Sequence, residues 1–248
     1  MTTEYNPFSL CGKTILVTGA SSGIGRSIAI ACAKMGGTIV LNGRNSEELK
    51  NTYNDMPKGM HIICAGDLTD AISVEKMLNE IPMLDGIVHC AGVGHRKVCK
   101  LITEKDISEV MDVNFKSAVL LQSKLLFRKK IKKSSSIVFI ASRAAASPSI
   151  GNAVYSASKG ALISYAKCLM LELAPRQIRV NCICPAMVWT DLILKGGITK
   201  DELILEQEKY PLKRFGKPED IAYLAIYMLS DASSWMTGSC VDLTGGGE

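Results

Sequence analysis

The stretch Thr18-Gly19-Ala20-Ser21-Ser22-Gly23-Ile24-Gly25 decides the fold, because it follows the apolar run Ile15-Leu16-Val17 and precedes a long helical pattern. Glycines at such a turn let the backbone bend sharply and approach a ligand, while the helix start offers unpaired N–H groups and its positive dipole end. A plain tight turn is the alternative. In a chain of alternating strands and helices, the pattern predicts a turn that holds the pyrophosphate of a dinucleotide. The residues expected to bind it are Gly19, Ser21, Ser22, Gly23, Ile24 and Gly25.

Outward from this turn, short β-branched runs alternate with longer stretches of helical spacing. Strands that are almost continuously apolar and separated by helices are typical of a parallel sheet covered on both faces. With right-handed crossovers, this predicts an α/β fold of three layers: a doubly wound, Rossmann-type fold with a parallel seven-stranded sheet. The predicted strands are Thr14–Thr18, Thr38–Leu41, His61–Ala65, Gly86–Cys90, Ser136–Ala141, Arg179–Ile183 and Ser239–Asp242. The predicted helices are Gly23–Met35, Ser46–Asn54, Ala71–Ile81, Glu104–Val113, Phe115–Lys130, Asn152–Leu173, Lys200–Glu208 and Pro218–Leu229.

No internal repeat, low-complexity tract or long linker divides the chain, so we expect one dinucleotide-binding domain over residues 1–248. The segment Ala186–Pro211 is the least sheet-like part of the second half, and with Gly196-Gly197 it is expected to form a mobile substrate lid. Its apolar side chains indicate either a wall for an apolar substrate or ordinary core packing. These side chains are Met187, Trp189, Leu192, Ile193 and Leu194.

The composition argues against several classes of protein. A net charge of +5 suits phosphorylated small molecules but is too small to indicate nucleic-acid binding. No apolar run approaches the ~20 residues of a membrane span, and Met1–Leu10 lacks a signal-peptide pattern. The nine cysteines contain no C-x-x-C pair, so we expect no metal site. They indicate buried thiols in a reducing compartment, and hence a cytoplasmic protein.

Much of the excess positive charge lies in one basic cluster, Arg128–Lys133, which reads Arg-Lys-Lys-Ile-Lys-Lys. Such a cluster is commonly a solvated helix end, where cations complement the negative end of the helix dipole. The alternative is a docking patch for an acidic carrier.

Residues after the second, third and fourth strands are expected to bind the rest of the dinucleotide. The second strand ends at Asn42-Gly43-Arg44, without the acidic residue that usually holds the adenosine ribose of NAD. Because a guanidinium binds a 2′-phosphate bidentately, Arg44 predicts NADP(H) over NAD(H), with a solvated loop cation as the alternative. After the third strand, the carboxylate of Asp67-Leu68 can accept the adenine amino group or cap the next helix, although Asp70 is better placed as the cap. Cys90-Ala91-Gly92 follow the fourth strand, and their small side chains would let the cofactor pass.

Tyr155 and Lys159 are four residues apart in a long predicted helix, so both project from one face. Hydride transfer to a carbonyl requires a proton donor, and the tyrosine pKa, near 10, is too high for efficient exchange at neutral pH. Lowering it by ~3 units takes about 4 kcal/mol, which a close ammonium in a partly dry site can supply. Taken alone, such a pair is commonplace on a surface helix. Downstream of a dinucleotide turn, it predicts that Tyr155 is the acid.

The order of these motifs resembles the short-chain dehydrogenase/reductase superfamily over residues 12–246. The resemblance rests on the glycine-rich turn, Asn114, Ser142 and Tyr155-Ser156-Ala157-Ser158-Lys159. It implies a Rossmann-like fold, a nicotinamide cofactor and a catalytic tetrad of Asn114, Ser142, Tyr155 and Lys159. In that tetrad Ser142 would hydrogen-bond the substrate oxygen, Asn114 would support a water that refills the proton, and Lys159 would also bind the nicotinamide ribose.

Two further segments compare with family patterns. Pro185-Ala186-Met187-Val188-Trp189-Thr190 stands where members often carry Pro-Gly and then a threonine on the nicotinamide amide, so Pro185, Val188 and Thr190 are expected to bind the cofactor. Cys90-Ala91-Gly92 departs from the family's Asn-Ala-Gly. Because a thiol lacks the paired donor and acceptor of an amide, we expect weaker support of the cofactor loop and lower cofactor affinity. A reactive Cys90 thiol is the alternative.

The chain looks most like the 3-oxoacyl-[acyl-carrier-protein] reductases of fatty acid biosynthesis. That implies a small carbonyl substrate carried by acyl carrier protein, and a homotetramer paired through Phe115–Lys130 and Asn152–Leu173. Leu171 precedes Glu172, where that subgroup commonly has an arginine for the carrier. Sugar, polyol and hydroxysteroid dehydrogenases share the tetrad, and an idle NADP-binding sensor and a nucleic-acid-binding protein are further alternatives. The apolar residues expected between subunits, which core burial also explains, are Leu120, Leu121, Leu125, Leu126, Leu169 and Met170.

Overall fold

The computed structural model describes residues 5–194 and 199–247, and seven strands in it form one parallel sheet in the order β3-β2-β1-β4-β5-β6-β7. The strands are β1 (Thr14–Val17), β2 (Thr38–Gly43), β3 (Ile62–Ala65), β4 (Leu84–His89), β5 (Ile131–Ile140), β6 (Arg179–Pro185) and β7 (Cys240–Leu243). The α-helices are α1 (Gly23–Lys34), α2 (Ser46–Asn54), α3 (Ala71–Glu80), α4 (Glu104–Met111), α5 (Ser117–Phe127), α6 (Ala153–Leu173), α7 (Asp191–Leu194), α8 (Lys200–Gln207) and α9 (Pro218–Leu229).

Helices cover both faces of the sheet, which confirms the predicted three-layer, doubly wound Rossmann-type fold. Along β1, Leu16 packs into the cluster that α3, α5 and α6 cover, whereas Ile15 and Val17 pack into the cluster of α1, α2 and α9. Two buried faces explain why the strands read as continuous apolar runs. β1 pairs with both β2 and β4, so the strand order reverses there and a crevice opens at the carboxyl ends of β1 and β4.

The helical region around Asn114 differs from the prediction. Instead of two helices separated at Asn114, a π-helical turn (Asp112–Lys116) joins α4 to α5 without a break. Such turns insert one extra residue into the helical ladder and are frequent at functional sites. The predicted helix end at Lys130 is also wrong. α5 ends at Phe127 with Arg128 as its C-cap, Lys129 has a φ of 53°, and β5 begins at Ile131, so the basic cluster spans the helix end, a turn and a strand start.

The predicted lid, Ala186–Pro211, contains the unpredicted short helix α7 as well as α8. Met187, Trp189 and Ile193 pack around Leu203, Tyr210 and Phe215 in a small cluster of their own, so these three form the core of the segment. Leu192 and Leu194 remain partly exposed. Gly196-Gly197 lie outside the described residues, and the mobility of the segment stays a prediction.

The nine cysteines are all free thiols, and five of them are buried or half-buried. The expectation of buried thiols is wrong for Cys11, Cys99, Cys168 and Cys240, which are exposed. An apolar run does not reveal which of its residues face solvent, because each helix or edge strand has an outer side. Within the described ranges, no helix is both long and apolar enough to span a bilayer, and no group of three or more His, Cys, Asp or Glu side chains could hold a metal ion.

Candidate active site

The glycine-rich turn lies at the carboxyl end of β1 and has no room for a side chain at Gly19 or Gly25. A Cβ on Gly25 would lie 2.2 Å from the carbonyl oxygen of Gly19, and a Cβ on Gly19 would lie 2.9 Å from Cα of Ala91. Gly19 and Gly23 also have positive φ, at 67° and 52°. Ser22, the N-cap of α1, makes no side-chain hydrogen bond to the helix, so no side chain occupies the N–H groups of the first turn. These features fit a dinucleotide pyrophosphate.

The two remaining residues predicted in this turn, Ser21 and Ile24, face neighbouring elements. The Ser21 hydroxyl lies 3.2 Å from the place that a Cβ on Gly43 would take, so the turn touches the end of β2 just before Arg44. Ile24 packs against the core under α1. The phosphate turn and the end of β2 are therefore adjacent, as the binding of one dinucleotide requires.

Thr18 joins the glycine-rich turn to the loop after β4. Its hydroxyl accepts the N–H groups of Cys90 at 2.9 Å and of Ala91 at 3.1 Å. The backbone of this loop is thereby held without an amide side chain at position 90. Sequence reasoning missed Thr18, and the available signal was a polar residue at the end of an otherwise apolar strand.

Cys90 itself packs against the core cluster beneath α1 and α9. Burial raises the pKa of its thiol to about 12, and the charge of Lys159 offsets only part of that rise. A thiol that stays protonated is a poor nucleophile, so the structure disfavours the reactive-thiol alternative.

A cavity of about 500 Å³ opens beyond the ends of β2 and β3, and Arg44 and Asp67 both line it. Arg44 is exposed and makes no ion pair or side-chain hydrogen bond with any described residue. Asp67 accepts hydrogen bonds from the N–H and hydroxyl of Thr69 at 2.8 and 2.7 Å. The cap of α3 is Asp70, which accepts from two backbone N–H groups of that helix. Leu68 packs against the core beside the cavity.

Tyr155 and Lys159 lie side by side at the start of α6. Lys159 Nζ is 5.8 Å from the centroid of the Tyr155 ring and donates to the carbonyl oxygen of Ile140, the last residue of β5, at 2.8 Å. The same nitrogen lies 3.4 Å from the place that a Cβ on Gly92 would take. The buried Lys159 ammonium is thus fixed between Tyr155 and the loop after β4, which is the predicted cofactor loop. The predicted pair shares one face.

Asn114 is fully buried in the π-helical turn. Its Oδ1 accepts the N–H of Val93 at 2.7 Å, and its Nδ2 donates to the Val93 carbonyl at 3.0 Å and to the Ser158 hydroxyl at 3.1 Å. Both amide protons are therefore used in joining the cofactor loop to α6. The Asn114 side chain positions this loop, and a water would have to use other atoms of the residue or the second lone pair of Oδ1.

Ser142 stands just after β5 and caps a short 3₁₀ turn, Arg143–Ala145. Its Oγ accepts the N–H of Ala144 at 3.1 Å, which leaves the hydroxyl proton free to donate. Ser142 can therefore cap the turn, as a serine after a strand usually does, and also make the predicted contact with the substrate.

The segment after β6 passes over the glycine-rich turn. The methyl group of Thr190 lies 3.2 Å from the place that a Cβ on Gly23 would take, and the Thr190 hydroxyl donates to the Val188 carbonyl at 3.3 Å. Val188 is held by a parallel bridge to Gly216, and Pro185 ends β6. Val188 and Thr190 thus lie beside the predicted pyrophosphate site.

A charged network beside the crevice was missed by sequence reasoning. Asp106 accepts Lys97 Nζ at 2.6 Å and His95 Nε2 at 2.9 Å, and it caps α4 together with Thr103. Hydrogen bonds from Lys97 and Thr103, with a smaller contribution from His95, hold the pKa of Asp106 well below its usual range. On the opposite side, Leu192 lies 3.3 Å from the place that a Cβ on Gly94 would take. The signal in the sequence was the capping pattern Thr103-x-x-Asp106.

Comparison with known proteins agrees with this geometry. Residues 19–247 match the family described as enoyl-(acyl carrier protein) reductase. A 3-oxoacyl-[acyl-carrier-protein] reductase of Rickettsia felis is 33% identical over 238 residues, which are 96% of this chain and 97% of the relative. A crystal structure of 3-ketoacyl-(acyl-carrier-protein) reductase from Brucella melitensis with NADH has a TM-score of 0.85 and 29% identity, covering 96% of this chain and 99% of that one.

The chain is also similar to a solved structure whose name includes a sugar acid, gluconate. It is a structure from Beutenbergia cavernae, named an NAD(P)-dependent gluconate 5-dehydrogenase, with NADP bound at low occupancy. Its TM-score is 0.87 at 29% identity, and it covers 97% of this chain and 98% of its own. Together with the motif order and the fold, these matches show that the chain belongs to the short-chain dehydrogenase/reductase superfamily and is a nicotinamide-dependent oxidoreductase acting on CH–OH and C=O groups.

Proposed function

We propose that this protein is an NADP(H)-dependent carbonyl reductase that reduces 3-oxoacyl thioesters. The observation that carries the proposal is the Tyr155–Lys159 pair, with its ammonium against Gly92 at the same crevice that Arg44 and the glycine-rich turn border. A crevice at the strand-order reversal is where open α/β sheets bind ligands.

NADP(H) is the proposed cofactor because of the charges around the adenosine cavity. Arg44 lies on the cavity wall without an ion-pair partner in the described part of the chain, and its planar guanidinium matches a phosphate. The carboxylate that an NAD ribose would need is missing from the end of β2, and Asp67 already accepts two bonds from Thr69. Ser22 and the glycines lie at the start of α1, where its N–H groups and positive dipole suit the pyrophosphate. Val188 and Thr190 are proposed for the nicotinamide end.

The proposed chemistry divides among four residues. Bound NADPH supplies the hydride. The Ser142 hydroxyl, whose oxygen already accepts from Ala144, donates to the substrate carbonyl oxygen and orients it. The Tyr155 hydroxyl gives that oxygen its proton, and the buried Lys159 ammonium stabilises the tyrosinate that is left. Asn114 holds the cofactor loop in place through Val93.

The proposed substrate is a small carbonyl compound on a thioester, because similarity to 3-oxoacyl reductases covers almost the whole chain. We propose a cytoplasmic setting, since all nine cysteines are free thiols. We also propose a homotetramer paired through α5 and α6. Leu121, Leu125 and Leu169 are buried in the core of one subunit and cannot contact a second one. Leu120 and Leu171 are exposed on these helices and are available for the interface.

A substrate panel tests the proposal. The same acyl group is offered as a 3-oxoacyl and as a trans-2-enoyl thioester, with 5-ketogluconate and a 3-ketosteroid as further substrates and with NADPH or NADH. We expect the highest kcat/KM for the 3-oxoacyl thioester with NADPH. Preference for the enoyl thioester, the sugar acid or the steroid would replace the substrate assignment. Cofactor binding without turnover of any compound would identify a sensor instead.

A further inference from the structure

The residues that follow β4 form one rim of the crevice, called here the rim segment (residues 93–107). Val93, Gly94 and His95 at its start and Lys105 near its end line the adenosine cavity, so the rim segment begins and ends at the crevice mouth. The Lys97 N–H donates to the Gly151 carbonyl at 2.7 Å, which joins the rim segment to the loop before Tyr155. A molecule resting on this rim would therefore face the active site directly.

The rim segment contains four Lys or Arg residues against two acidic residues, Glu104 and Asp106, so it keeps an excess of positive charge. No Asp or Glu occurs from Gly86 to Thr103, whereas Arg96, Lys97 and Lys100 all fall in that stretch. Lys97 is paired with Asp106. Arg96 and Lys100 are exposed, and neither forms an ion pair or a side-chain hydrogen bond within the part of the chain that the structure describes. Two cations at the crevice mouth are thus available to an outside partner.

Exposed apolar side chains lie beside these cations in the sequence and at the start of α4. Val98, Leu101 and Ile107 keep 40, 56 and 47% of their surface in solvent. Charge alone would suit a free phosphate, but apolar groups among cations match a macromolecular surface that is acidic and has an apolar patch of its own. The Asp106 network fixes the segment at both ends, so little ordering is needed when a partner binds.

The basic cluster Arg128–Lys133 differs from the rim segment in position rather than in charge, because Lys129 and Lys133 are also exposed and form no ion pair among the described residues. Arg128 is paired with Glu75, Lys132 with Asp85, and Lys130 donates to the carbonyl of Ile81. β5 begins within this cluster and runs ten residues to Ile140, whose carbonyl binds Lys159. Because β5 bulges between Ile131 and Ser136, which face Leu84 and Gly86 of β4, that distance is only about 20 Å. Within one subunit, a carrier on this cluster would lie at the far edge of the sheet from Tyr155.

We propose that the rim segment is the docking surface for an acidic acyl carrier protein, which delivers the thioester into the adjacent crevice. The proposal rests on the proposed reduction of 3-oxoacyl thioesters. Arg96 and Lys100 would pair with carboxylates of the carrier, and Val98 and Leu101 would contact its apolar surface.

The test compares one 3-oxoacyl group on three carriers: an acyl carrier protein, coenzyme A and N-acetylcysteamine. In Arg96→Gln/Lys100→Gln, we expect KM for the carrier-protein thioester to rise roughly tenfold, with kcat unchanged. The KM for the N-acetylcysteamine thioester should not change. The KM for the carrier protein should also increase with ionic strength in the wild type, and much less in the variant.

Two further variants sharpen the test. Lys129→Gln/Lys133→Gln removes the same charge from the exposed part of the basic cluster and should leave all three KM values unchanged. Val98→Ser/Leu101→Ser tests the apolar contacts and should raise KM for the carrier protein only. Unchanged KM in the rim variants, an equal rise for coenzyme A, or a rise only in the cluster variant would overturn the docking surface while leaving the thioester function in place. Failure of the wild type to turn over any thioester would remove the proposed function, and the docking surface with it.

Discussion

The two edges of the sheet differ in how their polar groups are satisfied. At the edge where the strands begin, three cations are paired: Arg128 with Glu75, Lys132 with Asp85 at 2.7 Å, and Lys13 with Asp231 at 2.6 Å, whereas Lys129 and Lys133 are exposed and form no ion pair among the described residues. At the edge where the strands end, Arg44 and Arg96 have no partners among the described residues. The buried His89, at the end of β4, also has no hydrogen bond at Nδ1. An unpaired buried polar group costs stability, so His89 Nδ1 marks the edge where the strands end as the one that binds ligands, whereas exposed cations are solvated and cost little.

The largest expected effect concerns the catalytic end of the unpaired edge. Tyr155→Phe removes only the proposed acid, and we expect kcat/KM to fall by about a hundredfold to ten-thousandfold while NADPH affinity is retained. Steady-state kinetics and NADPH titration measure the two quantities. Tyr165→Phe, on the same helix and packed against Phe139, is the matched control and should stay active. Activity in Tyr155→Phe close to that of the wild type would exclude the tyrosine as acid.

The second prediction concerns the stability cost of His89. Burial lowers the pKa of His89 to about 4, with its one hydrogen bond, to Gln122, opposing the shift. In the unfolded chain a histidine titrates near 6.5. Between these two values the unfolded state binds a proton that the folded state does not. Stability is therefore complete above about pH 6.5 and decreases as the pH falls toward 4, by up to about 3 kcal/mol.

Urea unfolding at pH 7, 6 and 5 measures this loss. In His89→Phe, which retains an aromatic ring against Phe139, we expect a lower stability at pH 7 but a smaller decrease on acidification. Gln122→Leu removes the same hydrogen bond and keeps the histidine, so its pH dependence should remain. An equal slope in the wild type and His89→Phe would assign the acid sensitivity to other groups.

The third prediction concerns the adenosine end of the unpaired edge. Arg44→Asp replaces a free cation with a carboxylate suited to a ribose hydroxyl, so the ratio of kcat/KM for NADPH to that for NADH should fall by about ten- to a hundredfold. Lys129→Asp makes the same charge change at an exposed lysine on the edge where the strands begin, and it should leave the ratio unchanged. If Arg44→Asp does not alter the ratio, Arg44 takes no part in phosphate recognition.

The features of this site that were predictable from sequence are local ones. The glycine-rich turn is specified by consecutive residues, and Tyr155 and Lys159 share a helix face through a spacing of four. The parallel, doubly wound sheet also follows from the alternation of elements. These patterns need no knowledge of distant contacts.

Features that depend on contacts distant in sequence were not predictable. Arg128 pairs with Glu75, which lies 53 residues earlier in the sequence. Part of the basic cluster, for which a docking patch was the alternative interpretation, therefore forms an ion pair within the chain. Trp189 packs against Phe215 in the small apolar cluster of the predicted lid. Its apolar neighbours in the sequence are equally typical of a substrate wall. The π-helical turn at Asn114 depends on bonds to Val93 and Ser158 that no spacing in the sequence indicates.

The smallest expected effect concerns the paired edge. Lys132 and Asp85 are partly exposed, and solvent screens such a pair, so their coupling energy should be only about 0.2–1 kcal/mol. A double-mutant cycle with Lys132→Met and Asp85→Asn, followed by urea unfolding, isolates this energy from the bond that Asp85 also accepts from the Thr14 N–H. None of the three variants should change kcat or KM. Asp85, the ion-pair partner of Lys132, lies at the edge where the strands begin. Altered kinetics in these variants would therefore show that this edge also serves the active site. The division between a stabilising edge and a binding edge would then no longer hold.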